Sequence, residues 1–220
     1  MRVFLVLLRG ASGSMRRKSG FNPHYEMTAQ INDTCFHQKI DFKVAGISGS
    51  GLFDPDTLAF KPISVSSACR RGHVAHYSIL DGELYLTSLA VGLPDALAPR
   101  AEAGEGPELF GVLPKADPFW VFLYKGFQQP TVFTGGLLLA DDFIRELYVH
   151  MGFHPAWKYR TVREVIFDSG RIIGEFDRSD EMATAREKFV EGTGRSPGKS
   201  DPPADGEIQE WIRKCFSREY

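Results

Sequence analysis

The sequence predicts a mainly β fold, an antiparallel sandwich or barrel-like meander with one or two C-terminal α-helices. Two matched hairpin signals carry that expectation, and one aromatic run supports it. The first signal runs from His73 to Leu80, turns at Asp81-Gly82, and returns from Glu83 to Leu89. The second runs from Arg163 to Asp168, turns at Ser169-Gly170, and returns from Arg171 to Phe176. A two-residue turn ending in Gly between β-rich runs is the strongest short-range hairpin signal. The run Phe119-Trp120-Val121-Phe122-Leu123-Tyr124 is too apolar to face water on either side and is expected as a buried strand.

The elements follow in chain order. Residues 1–27 read as a flexible N-terminal segment or an edge strand. The apolar run from Val3 to Leu8 is six residues long, short of a secretory h-region of about 7–15. Met15, before Arg16-Arg17-Lys18, is an alternative start. An antiparallel β domain is expected over residues 28–178. Loose alternation from Thr28 to Ile47 gives one or two strands, clearest where Ile40, Phe42 and Val44 share a face. Ser48-Gly49-Ser50-Gly51 and Phe53-Asp54-Pro55-Asp56 read as turns, and Ile63 to Ser67 as a short strand. In the first hairpin a type I′ turn sets Ile79 against Leu84, Tyr77 against Leu86 and Ala75 against Ser88, all facing the core. Its other face holds Leu80, Ser78 and His76 with Glu83, Tyr85 and Thr87. Pro94 to Pro107 is a long surface loop. Thr134 to Leu139 starts a strand. Ala140 to Met151 fits either a helix or a strand, and the flanking hairpins favour a strand. Trp157 to Phe167 leads into the second hairpin, with Phe167 facing Ile172 and Val165 facing Gly174.

Residues 179–220 are expected as a C-terminal helical extension. Glu181 to Glu191 reads as a helix, 192–204 as a linker rich in Gly, Ser, Pro and Lys, and Asp205 to Phe216 as a short amphipathic helix. Ile208, Trp211, Ile212 and Cys215 share one face of that helix. A helix this short needs a docking site. Its own sheet is one choice. A second subunit is the other, so a homodimer through the C-terminal helix is an expectation.

Composition narrows function. The formal charge of −2 gives no basic field for nucleic acid, and no run approaches the roughly 20 apolar residues of a membrane span. The three cysteines, Cys35, Cys69 and Cys215, are far apart and form no Cys-x-x-Cys pair, so they read as reduced thiols of a cytoplasmic protein. No phosphate loop, nucleophile elbow or paired-carboxylate arrangement is present.

Three polar groupings remain. His73 and His76 are three apart on a strand and point to opposite faces, so they cannot share an ion. His150 and His154 have helical spacing, but Gly152 and Pro155 argue against a continuous helix. No metal site follows. The run from Ser66 to His73 joins hydroxyls, the Cys69 thiol, Arg70, Arg71 and an imidazole. An Arg beside a thiol lowers its pKa, yet a Cys nucleophile needs a base in reach, and strand neighbours rarely supply one. Arg70 and Arg71 read as anion-binding candidates, with a structural salt bridge as the plainer outcome. The third grouping, Tyr148 to Trp157, is dense in aromatics and His. It either lines a cleft or packs a sheet corner. The ligand-binding candidates are therefore Arg70, Arg71, His73, His76, Tyr148, His150, His154 and Trp157.

These residues also carry a resemblance. The stretch Phe53-Asp54-Pro55 to Pro62, then Ser67-Ala68-Cys69-Arg70-Arg71-Gly72-His73, then Leu80-Asp81-Gly82-Glu83-Leu84-Tyr85-Leu86, resembles small uncharacterised bacterial β-rich proteins. Phe133-Thr134-Gly135-Gly136-Leu137 and Tyr148-Val149-His150-Met151-Gly152-Phe153 are similar to that family's second half. The resemblance covers roughly residues 50–176. It departs at His73, where an aromatic is usual, in the insertion from Pro94 to Pro107, and in the C-terminal helices. It implies a bacterial cytosolic protein with one continuous β domain, and it assigns no activity or catalytic residue.

The expected function is a non-catalytic binding or interaction protein acting on a protein partner or small ligand, without cofactor, nucleic acid or membrane. The alternative is a hydrolase or metal-assisted enzyme using Cys69, His73, His76, His150 and His154. Convergence of three of those side chains would favour the enzyme.

Overall fold

A computed structural model describes residues 28–117, 121–150 and 152–193. The N-terminal segment 1–27, Pro118, Phe119, Trp120, Met151, and everything after Thr193 lie outside the described residues. The last stretch includes most of the expected linker, the helix from Asp205 to Phe216, and Cys215. None of the described helices is long and apolar enough to cross a membrane.

Nine described strands form one sheet: β1 (Thr34–His37), β2 (Ile40–Ser50), β3 (His73–Leu80), β4 (Glu83–Val91), β5 (Lys115–Asp117), β6 (Val121–Pro130), β7 (Thr134–Phe143), β8 (Tyr159–Asp168) and β9 (Arg171–Asp177). Their order is β3-β1-β2-β7-β8-β9-β4-β6-β5. β3 also pairs with β4, so the sheet curls into a ring. The mainly β, barrel-like expectation holds. Every pairing is antiparallel except β1 with β3, which run parallel.

Both sequence-read hairpins form, on type I′ turns with Asp81 and Gly82 at φ 51° and 79°, and Ser169 and Gly170 at φ 51° and 83°. Their registers agree with the sequence near each turn and then slip. In the first, Ile79 faces Leu84 and Tyr77 faces Leu86, but Ala75 faces Leu89, not Ser88. In the second, Phe167 faces Ile172, but Val165 faces Glu175, not Gly174. One β-bulge in each hairpin, at Thr87-Ser88 and at Ile173-Gly174, inserts the extra residue. A third type I′ hairpin joins β1 to β2 through Gln38 and Lys39, at φ 49° and 69°.

Other local expectations are corrected. β2 continues through Ser48, Gly49 and Ser50, because Gly135 of β7 lies against Gly49 and lets the two backbones meet closely. Ile63 to Ser67 forms no strand; only an isolated bridge joins Ser66 to Cys69. The loop from Pro94 contains a short helix, α1 (Ala98–Glu102). β7 stops at Phe143, and a 3-10 turn at Arg145–Leu147 follows, so the strand favoured through Met151 ends eight residues early. Trp157 lies in a 3-10 turn, and β8 begins at Tyr159. The expected helix from Glu181 is α2 (Ser179–Thr193).

Alternation along the strands places one main core inside the ring. It includes Phe42, Val44, Tyr77, Leu84, Leu86, Phe122, Tyr124, Leu139, Val165 and Phe167. Burying each large apolar side chain contributes about 1.5–3 kcal/mol. Outside the ring, Met182 of α2 packs on Ala45, Leu138, Ala140, Tyr159 and Val162. Arg178, just before α2, binds Glu164 of β8 through Nη2 at 2.8 Å, and its backbone N–H donates to the Val162 carbonyl. Ser179 completes the anchor by accepting from the Val162 N–H at 3.1 Å.

The two hairpin turns meet each other. Leu84 N–H donates to the Gly170 carbonyl and Ile172 N–H to the Gly82 carbonyl, both at 2.8 Å. This junction generates a contrast. A Cβ at Gly82 would meet open space, whereas one at Gly170 would lie 2.2 Å from the Thr131 carbonyl oxygen. Gly82→Ala is expected to cost about 1–2 kcal/mol, from its positive φ alone. Gly170→Ala adds about 1–3 kcal/mol of overpacking to the same strain. Urea denaturation of the two variants checks this, and equal losses would contradict the packed junction.

Candidate functional site

Arg71, expected as an anion-binding residue, is held by Asp33 at the entry to β1. Asp33 Oδ1 accepts from Arg71 Nη2 at 2.6 Å and from the Ala75 N–H at 2.6 Å, and Oδ2 accepts from Arg71 Nη1 at 3.0 Å. Arg71 Nη2 also donates to the Ile31 carbonyl at 3.3 Å. The guanidinium lies 5.4 Å from the Phe153 ring centroid. A bidentate Arg–carboxylate pair is geometrically specific, and here it ties β1, β3 and a distant loop together. Arg70 is exposed, and its backbone N–H donates to Gln30 Oε1 at 3.0 Å. Sequence reading missed Asp33, because 38 residues separate it from Arg71 and no motif joins them.

Cys69, His73 and His76 make no catalytic arrangement. The buried Cys69 thiol donates to the His73 carbonyl at 3.4 Å, and burial raises its pKa despite nearby Arg71. His73 is buried, with Nδ1 3.2 Å from the Arg71 carbonyl and its ring edge-on to Phe53. Burial first, then Arg71, lowers its pKa. His76 sits on the opposite, outer face of β3, with Nδ1 2.8 Å from Thr34 Oγ1. Burial lowers its pKa too.

The Tyr148 to Trp157 stretch packs a sheet corner. Phe143, at the end of β7, is the hub. Its ring centroid lies 4.7 Å from His154, 5.2 Å from Tyr159 and 6.4 Å from Tyr148. Tyr148 lies 5.1 Å from His154 and 4.9 Å from the exposed His150. Trp157 packs on the same cluster as Phe143, with Lys158 Nζ 5.4 Å from its ring. His154 is 7% exposed, and neither ring nitrogen has a hydrogen-bond partner. Burial, and then Lys158, lowers its pKa to about 4. An unmade buried hydrogen bond costs about 1–3 kcal/mol, so this ring is held against its polar preference by its aromatic neighbours.

The structure therefore brings Tyr148, His150 and His154 together and places Arg71 beside Phe153, the residue before His154. It leaves His73 and His76 on opposite faces of β3. Among the described residues, no group of three His, Cys, Asp or Glu could hold a metal ion. Comparison with known proteins finds no matching family model, no matching curated protein and no matching solved structure.

The Asp33–Arg71 node predicts coupled stabilities. Asp33→Ala strands the Arg71 charge and the Ala75 N–H, at an expected cost of about 2–4 kcal/mol. A double-mutant cycle with Arg71→Ala should give a coupling of about 1–3 kcal/mol by urea denaturation. Additive losses would mean that the pair is not an anchor.

Proposed function

We propose that this chain is a non-catalytic binding protein of the bacterial kind its resemblance suggests, and that it receives a protein partner on the outer face of β2–β1–β3–β4. One observation carries the reading: that face has two lateral rows of side chains, and α2 reaches it at Ala45 of β2, outside both rows. The register aligns Lys43, Thr34 and His76 in one row and Asp41, Phe36, Ser78 and Tyr85 in the next. α2 packs against β8, and α1 against β5. Phe36 is 45% exposed at the centre of the second row, with Tyr85 two strands away. A central aromatic with a polar surround is the usual composition of a protein-binding patch.

Phe36→Asp tests the reading. The new carboxylate would face Asp41 across β1–β2, at an expected cost of about 0.2–1 kcal/mol. A protein co-purified with the wild type and lost with Phe36→Asp, while the variant remains folded at the assay temperature, supports the assignment. Identical co-purifying proteins, in identical amounts, would remove this face as the site.

The hydrolase alternative requires a reactive Cys69. Burial raises the pKa of that thiol and pushes Cys35 up to about 12, so both stay protonated at neutral pH. A protonated, buried thiol is a poor nucleophile. In a Cys215→Ser background the native protein should therefore release no colour with Ellman's reagent at pH 7.5, and two equivalents after unfolding. Rapid labelling of one native thiol would revive the enzyme reading.

A further inference from the structure

Residues 152–156 run along the outside of the sheet and are fastened at three successive positions. The Gly152 carbonyl accepts from the Gln30 N–H at 2.7 Å. Phe153 lies under the Arg71 guanidinium. His154 packs against both Phe143 and Tyr148, which also touch each other. The first two fastenings are indifferent to mildly acidic pH. The third is not, because an imidazole whose two nitrogens face no acceptor can stay there only while neutral.

We propose that residues 152–156 form an acid-released strap whose latch is the His154 ring. The groups around that ring offer an imidazolium aromatic faces but no hydrogen-bond acceptor at either nitrogen. Phe143 of β7 carries no charge. Tyr159 of β8 and Tyr148 of the loop are phenols, and His150 is itself a base. Lys158, in the 3-10 turn before β8, is the charge that acts on His154, and it disfavours a second positive charge. Asp33, which reaches the strap through Arg71, is occupied by that guanidinium and by the Ala75 N–H.

The sign follows from linkage. The docked ring has a pKa of about 4, against 6.5 for a solvated His. At pH 7 both forms are neutral and docking is complete. As pH falls below 6.5 the released strap gains a proton that the docked strap cannot hold. Docking weakens until about pH 4 and then changes no further. A gap of about 2.5 pH units corresponds to a ratio of roughly 300 in the opening equilibrium. Release would uncover Phe143 and Tyr148, take Phe153 off Arg71 and lift Ala156 from the cluster under α2, leaving the core inside the ring untouched.

Hydrogen exchange of the full chain, corrected for the intrinsic pH dependence, tests this between pH 7 and pH 4.5. Protection of the Gln30 N–H, which the Gly152 carbonyl of the strap holds, should fall by about one to two orders of magnitude, the part of the 300-fold reached by pH 4.5. Protection of the β7–β8 pairing should change much less. His154→Phe keeps an aromatic latch without a titrating nitrogen, and it should hold the strap at both pH values. His154→Gln is the second variant: it loosens the strap at neutral pH but equally at acid pH. The proposal is overturned if the Gln30 N–H keeps its protection in the wild type, if it loses protection only together with the core strands, or if both variants retain the wild-type pH response.

Discussion

The contact on which this fold depends is the meeting of two hairpin turns. A hairpin alone is marginal in water, and here each turn supplies the other's missing backbone partners. The pairing of Glu83 with Arg171 is flanked by Leu84 N–H to Gly170 and Ile172 N–H to Gly82. The same point collects the chain between β6 and β7: Thr131 N–H donates to the Leu84 carbonyl, and Gly170 N–H to the Phe133 carbonyl. β3–β4 and β8–β9 lie far apart in sequence, so this junction converts a row of strands into a ring. The exposed Arg171–Glu83 ion pair beside it adds little in comparison, because such pairs are screened by water.

Beyond that junction β9 has no strand partner among the described residues on its second side, and the way this edge is managed explains several side chains. The β-bulge at Ile173-Gly174 twists the edge, and Glu175 directs a charge inward. Glu175 then receives Arg163 Nη1 at 3.1 Å, His37 Nε2 at 3.2 Å and Gln38 Nε2 at 3.3 Å. A polar cluster thus spans from β9 to the β1–β2 turn. A continued ladder would need a straight edge and apolar inner positions, and neither is present. The same cluster accounts for Gln38 and Lys39 at positive φ, a conformation costing about 1–2 kcal/mol per residue, since the turn is held where Gln38 can reach Glu175.

The sequence announces features with a local cause. Asp81-Gly82 and Ser169-Gly170 announce their turns because positive φ at two successive residues favours Asp, Ser and Gly there. The α2 helix and the alternating core positions of β3, β4 and β8 were legible for equally local reasons. Gln38-Lys39 was silent because neither residue prefers the conformation it adopts, and the force holding it comes from residue 175. The bulges were silent for a similar cause. At Thr87-Ser88 the shift is shared with the β4–β6 pairing, and at Ile173-Gly174 it turns the charged Glu175 inward, an outcome that alternation alone does not select. The candidate site divides in the same way. That His73 and His76 would separate follows from strand parity. That Arg71 would be taken by Asp33 does not, because the pairing exists only once β1 lies parallel beside β3.

Most of the charge in the described residues that leaves water does so with a partner, and the partners share a pattern. Asp33–Arg71 joins the segment before β1 to the start of β3, Glu164–Arg178 joins β8 to the start of α2, and Glu175–Arg163 joins β9 to β8. Each pins the place where one element enters another, where an apolar contact would permit sliding. Such pairs contribute more to registry than to net stability, because desolvation offsets most of their attraction. Arg71 and Arg163 each leave Nε unbonded but bind through their outer nitrogens. His154 differs in kind, since its ring is buried with neither nitrogen bonded. Its contacts are aromatic faces, which hold a neutral imidazole and offer an imidazolium no acceptor oxygen. In a structure whose joints are otherwise fixed by paired charge, the strap is fixed by the absence of charge.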